Sequence, residues 1–304
     1  MIKFPKGLDI HNLIDDLRIF SWEAADLLIF YSDLIKNSKD GSQILENGEK
    51  NNPVTTADLK VNELIIKRIN EKYKNLIGWE ILSEENVKIS TDSNDLTSDW
   101  LWVFDPLDGT KDFLQRTGNY AMHLALNYKN KPCLGVVLIP SKDELWISDG
   151  NQVYCEGRDG KGKRFHFSNK KSLHEMTLVT SKNHSSKTLK LLIDKINFKN
   201  VLTMGSIGCK VASIIRGESD IYISLSIPNK SSPKDWDFAA PEIILKTAGG
   251  AITNIENEEL SYNNFNFEQR GIIIASNNRQ LHKEICSEIK DLIRANNIFP
   301  LDSN

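Results

Sequence analysis

"WVFDPLDGTKDF", Trp102–Phe113, sets two carboxylates three residues apart at the point where an apolar run stops. "WLWVF" is apolar throughout and reads as a buried strand. Pro106 holds Asp105 away from helical geometry. Gly109 permits a sharp turn or a close backbone approach, and Thr110 is placed to cap a helix opening on "KDFL". Asp105 and Asp108 thus stand at the C-terminal end of a strand, beside a helix N-terminus whose unpaired N–H groups favour an anion. Enclosed like charges call for something positive between them. A carboxylate pair beside an anion site suits Mg²⁺ and phosphate bound together. The plainer reading, an Asp-rich turn followed by a capped helix, stays open on these residues alone.

Other acidic positions share this setting. Glu84 and Glu85 follow the short strand in "WEILSEEN". Asp58 follows "NNPVTTA" and opens a helix, and Asp237 follows Trp236 and opens "FAAPEIILKTAGG". Taken singly, Asp58 and Asp237 read as helix N-caps before they read as ligands. Together the four places form a pattern.

Further out, Leu13, Leu17, Ala24, Leu28 and Ile35 mark an amphipathic helix over 9–36, and Val61, Leu64, Ile65 and Ile69 mark a second from Asp58 to about Lys72. The polar stretch between them reads as a loop or short hairpin. "AMHLALNY", "PCLGVVLIP", "ELWISDGNQVYCEG" (a hairpin turned at Asp149-Gly150) and "RFHFS" read as antiparallel strands. Beyond about residue 170, "TLVTS", "NVLTM", "DIYIS" and "GIIIAS" alternate with helices near 185–196, 208–217, 237–248 and 279–294, an α/β pattern. The expected organisation is an α+β half, 1–170, with an antiparallel sheet and most of the acidic sites, and an α/β half, 171–304.

With 38 basic and 41 acidic residues and a formal charge of -3, the chain offers no general basic surface for nucleic acid. No apolar run approaches the length of a membrane span. The N-terminus has no signal-peptide core. Cys133, Cys155, Cys209 and Cys286 follow no zinc spacing, and scattered thiols suit a reducing compartment; a cytoplasmic location is expected.

"WVFDPLDGTKDF", with "PVTTAD" and "SEEN" upstream and "WDFAAPEIILKTAGG" downstream, resembles the inositol monophosphatase superfamily of Mg²⁺-dependent, lithium-sensitive phosphomonoesterases. Within it, "GSIGCKVASIIRGESDIYIS" and the "TSKNHSS" stretch are similar to the 3'(2'),5'-bisphosphate nucleotidases, the branch of the CysQ and plant SAL-type proteins. The resemblance implies a layered αβαβα sandwich. It implies a metal-ligand set of Glu84, Asp105, the Leu107 carbonyl, Asp108 and Asp237, shared among two or three Mg²⁺ ions. By the same resemblance Asp58 and Thr110 activate the attacking water, and the Gly109 and Thr110 amides hold a phosphate oxygen. Ser181, His184, Ser206 and Lys210 match positions that meet the substrate, with Asp108 and Asp237 also at its edge. Two departures bear on substrate identity: Lys182 stands where the nucleotidases often carry Arg, and Ser206 follows the first glycine of the glycine-lysine segment.

The implied reaction is hydrolysis of 3'-phosphoadenosine 5'-phosphate to AMP and phosphate, with 3'-phosphoadenylyl sulfate as a second substrate. Lys182, His184 and Lys210 could supply donors for a phosphate away from the metals. Without the resemblance, Lys210 reads as solvated surface and His184 as an ordinary loop histidine. The alternatives are an inositol-phosphate or sugar-phosphate phosphatase and, in another class, a non-catalytic Mg²⁺ or nucleotide sensor. The expected partner is a small phosphate ester, an adenosine bisphosphate, bound by a monomer or homodimer.

Overall fold

In a computed structural model of the chain, residues 4–5, 7–37, 45–49, 52–74, 78–89, 96–181, 187–226 and 232–299 are described. The first part of the chain runs α1 (Ile10–Asn37), β1 (Leu45–Glu49), β2 (Asn52–Thr55), α2 (Thr56–Tyr73), β3 (Glu80–Ser83), α3 (Glu84–Ile89), β4 (Trp100–Asp108), α4 (Thr110–Leu114), β5 (Ala121–Tyr128), β6 (Lys131–Ile139), β7 (Glu144–Ser148) and β8 (Val153–Glu156). The second runs β9 (Thr177–Thr180), α5 (Lys187–Ile196), β10 (Asn200–Thr203), α6 (Ile207–Ile215), β11 (Ile221–Leu225), α7 (Asp235–Ala248), β12 (Ala251–Asn254), β13 (Ile272–Ser276) and α8 (His282–Asn296).

The period-two alternation of β4 sets the layers. Trp102 and Phe104 join the α1 and α2 apolar faces in one core cluster. Leu101 and Val103, on the other side, join Val211 and Ile215 of α6 and Phe238 and Leu245 of α7. That second cluster continues into Val179, Tyr222, Ile273 and Ala275 of a second sheet. The opposite face of that sheet, with Leu178, Ile223 and Ile274, is covered by Leu192 of α5 and Ile289 of α8. The order is therefore α1/α2, six-stranded sheet, α6/α7, five-stranded sheet, α5/α8, the αβαβα sandwich expected. Each fully buried aliphatic side chain in these layers contributes about 2 kcal/mol.

The six-stranded sheet runs β3-β4-β5-β6-β7-β8 and the other β10-β9-β11-β13-β12. An antiparallel sheet was expected from sequence, but the first sheet has one parallel edge: β3 lies parallel to β4, with Ser83 beside Phe104. A crossover through α3, rather than a hairpin, links these strands and restores the chain direction. In the second sheet β9, β10 and β11 are parallel, and β13 runs antiparallel to both β11 and β12. β1 and β2 form a hairpin inside the stretch read as loop or short hairpin.

The expected strand "RFHFS" does not form: residues 164–168 have no regular structure. Its alternating phenylalanines dock on the core edge, Phe165 meeting the Trp146 ring at 5.4 Å between centroids, with no strand beside them. β12 was not anticipated; it has four residues and starts directly after Gly249-Gly250, too little for a period-two signal. All four cysteines are buried free thiols. Among the described residues no helix is long and apolar enough to cross a membrane.

Candidate active site

The starts of α2, α3, α4, α6 and α7 and the end of β4 supply the residues of the site. Asp58 is not the N-cap of α2. Thr55 is the cap, and Asp58 sits three residues into the helix and reaches back to it. The Thr55 N–H donates to Asp58 Oδ2 at 2.9 Å, and the Thr55 hydroxyl donates to the same oxygen. Asp237 repeats this at α7, where its Oδ2 accepts the Lys234 N–H at 2.6 Å. Both aspartates thus satisfy backbone donors that a helix start leaves unpaired, and each keeps a second oxygen for other partners.

Nor does Thr110 cap α4. Gly109 takes that place with φ 87, a left-handed conformation that suits glycine. An added Cβ there would lie 2.9 Å from the Asn119 carbonyl and 3.1 Å from the Ser206 nitrogen. The tight turn frees Thr110 to point inward, its hydroxyl 3.1 Å from the Leu107 carbonyl and 3.5 Å from Asp58 Oδ1. The Leu107 N–H in turn donates to Asp105 Oδ1 at 2.9 Å.

Oxygen atoms of Asp105, Asp108 and Asp237 all lie within 4.8 Å of one another. Burial, reinforced by the other carboxylates, pushes Asp105 and Asp237 well above the usual carboxylate range. Burial likewise raises Asp58 to about 7, Glu85 and Glu84 adding to the shift and the Thr55 bonds opposing it. Glu84 lies outside the tight trio, but its charge helps to raise Asp105. Its Oε1 stands 3.0 Å from Lys88 Nζ, which also pairs with Glu85 at 2.7 Å. Burial disfavours the charge on Lys88, but the two glutamates outweigh it and push its pKa up. A buried, oxygen-only donor set with unrelieved repulsion fits a hard divalent cation.

The substrate-side candidates are distributed as follows. Ser206 is the N-cap of α6, its hydroxyl accepting the Cys209 N–H at 3.1 Å. Lys210, on the first turn of that helix, is fully buried rather than solvated. Its ammonium donates to the Gly205 carbonyl at 2.6 Å and lies 5.2 Å from the Tyr222 ring centre. Ser181, directly after β9, lies close enough to Tyr222 to oppose the rise that burial gives its hydroxyl pKa, which places it near the same ring. Lys182 and His184 lie outside the described residues.

Sequence reasoning missed three contributors. Lys88 follows Glu84 by one helical turn, a spacing that could have been read as an ion pair. Asp112 is buried, takes the Thr117 hydroxyl on Oδ1 and turns an unpartnered Oδ2 toward Gly205. His123, in the apolar run of β5, lies opposite Asp105 in register with its Nε2 3.3 Å from Asp108 Oδ2.

The chain is 27% identical over 256 residues to the 3'(2'),5'-bisphosphate nucleotidase CysQ of Aggregatibacter actinomycetemcomitans, covering 84% of this chain and 89% of that protein. It is 30% identical over 217 residues to the enzyme of the same name from Buchnera aphidicola, covering 70% and 75%. The fold is shared with an IMPase of Thermotoga maritima, at a TM-score of 0.70 and 22% identity over 93% of this chain and 99% of the other. The family model described as the inositol monophosphatase family matches residues 21–294, and the chain belongs to that family.

Proposed function

We propose that the protein is a Mg²⁺-dependent phosphomonoesterase that converts 3'-phosphoadenosine 5'-phosphate to AMP and phosphate, with 3'-phosphoadenylyl sulfate as a second substrate. The observation that carries the reading is the buried trio of Asp105, Asp108 and Asp237 beside the Asp58–Thr110 pair. Similarity to nucleotidases named CysQ supports the substrate class.

In this reading Asp105, Asp108, Asp237, Glu84 and the Leu107 carbonyl hold two or three magnesium ions. Bound there, magnesium polarises phosphoryl oxygens and makes water a stronger nucleophile near neutral pH. The chain supplies position and proton handling. Thr110 directs its hydroxyl hydrogen to Leu107 or Asp58, which leaves its oxygen to accept a hydrogen bond from water. Asp58, in its ionised form, takes a proton as the water oxygen bonds to phosphorus; the bond to the 3'-oxygen breaks with its electron pair going to that oxygen, which takes a proton from solvent to become the AMP hydroxyl. The Gly109 and Thr110 amides hold a phosphate oxygen. Lys210 and Ser206, both fully buried, back the wall that receives the nucleotide beside Ser181, and the Lys210 charge favours a second phosphate over a neutral inositol ring.

Phosphate release from a panel of the bisphosphate nucleotide, its sulfated form, inositol monophosphate and sugar phosphates, with and without Mg²⁺, tests this. Mg²⁺-dependent release fastest from the bisphosphate is expected, with Li⁺ inhibiting and Na⁺ inert. Preference for inositol monophosphate would transfer the protein to the other main activity of the fold, and no release from any ester would leave a sensor.

A further inference from the structure

The imidazole of His123 touches three elements of the site and has no place in the scheme above. It is fully buried on β5, opposite Asp105. The Gly208 N–H of α6 points at its Nε2 across 3.1 Å. Its Nδ1 lies 3.4 Å from the carbonyl of Trp236, the residue before Asp237. An N–H aimed at Nε2 requires a lone pair there, and a carbonyl beside Nδ1 requires a hydrogen there. The contacts therefore define one state, the neutral ring protonated on Nδ1.

That state has a consequence for Asp108. Nε2 and Asp108 Oδ2 are 3.3 Å apart. With a lone pair on each, they do not attract. Both instead compete for the Gly208 N–H, which lies 3.4 Å from Asp108 Oδ2. The Ile207 N–H already donates to the same oxygen at 2.5 Å. Without an acceptor at His123, the start of α6 would place two backbone N–H groups squarely on one carboxylate oxygen. A carboxylate doubly engaged in that way has fewer lone pairs and less charge to offer a cation. The packing is close on both sides: a Cβ on Gly208 would lie 2.2 Å from Nε2 and 2.8 Å from Val137.

We propose that His123 is a positioning residue that draws the Gly208 N–H off Asp108 and so keeps Oδ2 open to a divalent cation. This rests on the metal-dependent reading above. The ring touches neither substrate nor reacting atoms; it acts through Gly208 and Asp108. Its second bond, to the Trp236 carbonyl, fixes the ring plane and ties it to the start of α7, where Asp237 stands.

Two substitutions separate the ring's two ends. In His123→Gln the amide oxygen reaches the place of Nε2 and keeps an acceptor for Gly208. In His123→Asn the amide nitrogen reaches the place of Nδ1 and keeps the donor to Trp236, while the far acceptor is lost. Mg²⁺ binding is measured by calorimetry on EDTA-stripped protein, beside the Mg²⁺ dependence of turnover and the melting temperature without metal. His123→Asn is expected to weaken Mg²⁺ binding by roughly five- to tenfold, the scale of one hydrogen bond. Its kcat at saturating Mg²⁺ should stay near that of the parent, and His123→Gln should bind within about twofold of the parent, far less than one hydrogen bond.

Equal Mg²⁺ affinity in His123→Asn and the parent would overturn the proposal. So would an equal loss in both variants, which would make the ring a space-filling group. In the unsubstituted protein, ¹⁵N-histidine NMR should show an unprotonated, pyridine-type Nε2. A protonated Nε2 would overturn the proposal even if neither variant folded. Failure of the parent to bind Mg²⁺ would instead overturn the metal reading, and this inference with it.

Discussion

Replacing Asp108 by asparagine should move activity and metal-free stability in opposite directions. Asp108 shares a buried site with Asp105 and Asp237, their oxygens within 4.8 Å. Two unit charges at that distance repel by about 3–4 kcal/mol at an effective dielectric constant of about 20. Asp105 and Asp237 escape part of this, because burial and their neighbours hold their carboxyls well above the usual range. Some attraction between Asp108 and the buried Lys210 is also given up. The amide oxygen can still accept the Ile207 N–H. A net gain of about 1–2 kcal/mol is expected in the absence of metal, a rise of roughly 2–6 °C in melting temperature. Turnover with Mg²⁺ should fall by roughly a thousandfold, as when one preorganised charge-stabilising group is removed. Melting is followed by circular dichroism in EDTA, and turnover by phosphate release. A lower melting temperature in EDTA would show that the carboxylate serves structure rather than storing repulsion. Turnover near that of the parent would remove Asp108 from the site altogether.

Thr110→Val keeps the shape of the side chain but removes the hydroxyl between Asp58 and Leu107; kcat should fall by about a hundredfold, with Thr110→Ser close to the parent. The metal-free protein should lose stability as pH rises. Asp58 has its folded pKa raised to about 7, so its contribution is complete below its ordinary value near 4 and is lost on passing through about 7. Asp105 and Asp237 are raised as well, so the gap in melting temperature between Mg²⁺-loaded and EDTA-treated protein should widen from about pH 5 to about pH 8, and a constant gap would contradict the buried repulsion. Lys210→Met should lower kcat/KM for the bisphosphate nucleotide about ten- to a hundredfold more than for inositol monophosphate. Equal losses would assign the ammonium to holding Gly205 and the start of α6.

The parts of the fold that could be read from sequence are those with long or continuous patterns. The unbroken apolar run before Asp105 gave β4, and the helical periodicities gave α1, α2 and α5 to α8 to within a few residues. The parallel edge at β3 was not legible, because strand direction depends on a crossover whose path leaves no mark in composition. The phenylalanines at 165 and 167 alternate for packing rather than for pairing. At the site, the acidic positions were visible because a carboxylate is conspicuous where an element begins or ends. Their local roles were less so: Asp58 and Asp237 look like caps, yet the caps are Thr55 and Lys234, and the aspartates complete them from one turn inside. Lys210 looked like surface because its burial depends on the Gly205 carbonyl just before α6 and on the Tyr222 ring from β11, contacts that its own spacing does not reveal. His123 carried no signal, since a histidine among strand residues is ordinary until its opposite neighbour is known.

The double duty of Asp58 and Asp237 bears on how such a site can decay over evolutionary time. A descendant freed from catalysis could shed charge at Asp105 or Asp108 and gain stability from the first substitution. Loss of the side-chain acceptor at Asp58 or Asp237 would instead unpair the start of a helix, at about 1 kcal/mol each. Drift should therefore be uneven. In inactive relatives the charge at 105 and 108 should disappear first, replaced by neutral acceptors such as Asn that still take the Leu107 and Ile207 N–H groups, while residues able to accept a backbone hydrogen bond persist at the two helix starts. A collection of such relatives in which all four positions erode at the same rate would show that the helix starts find their acceptors elsewhere.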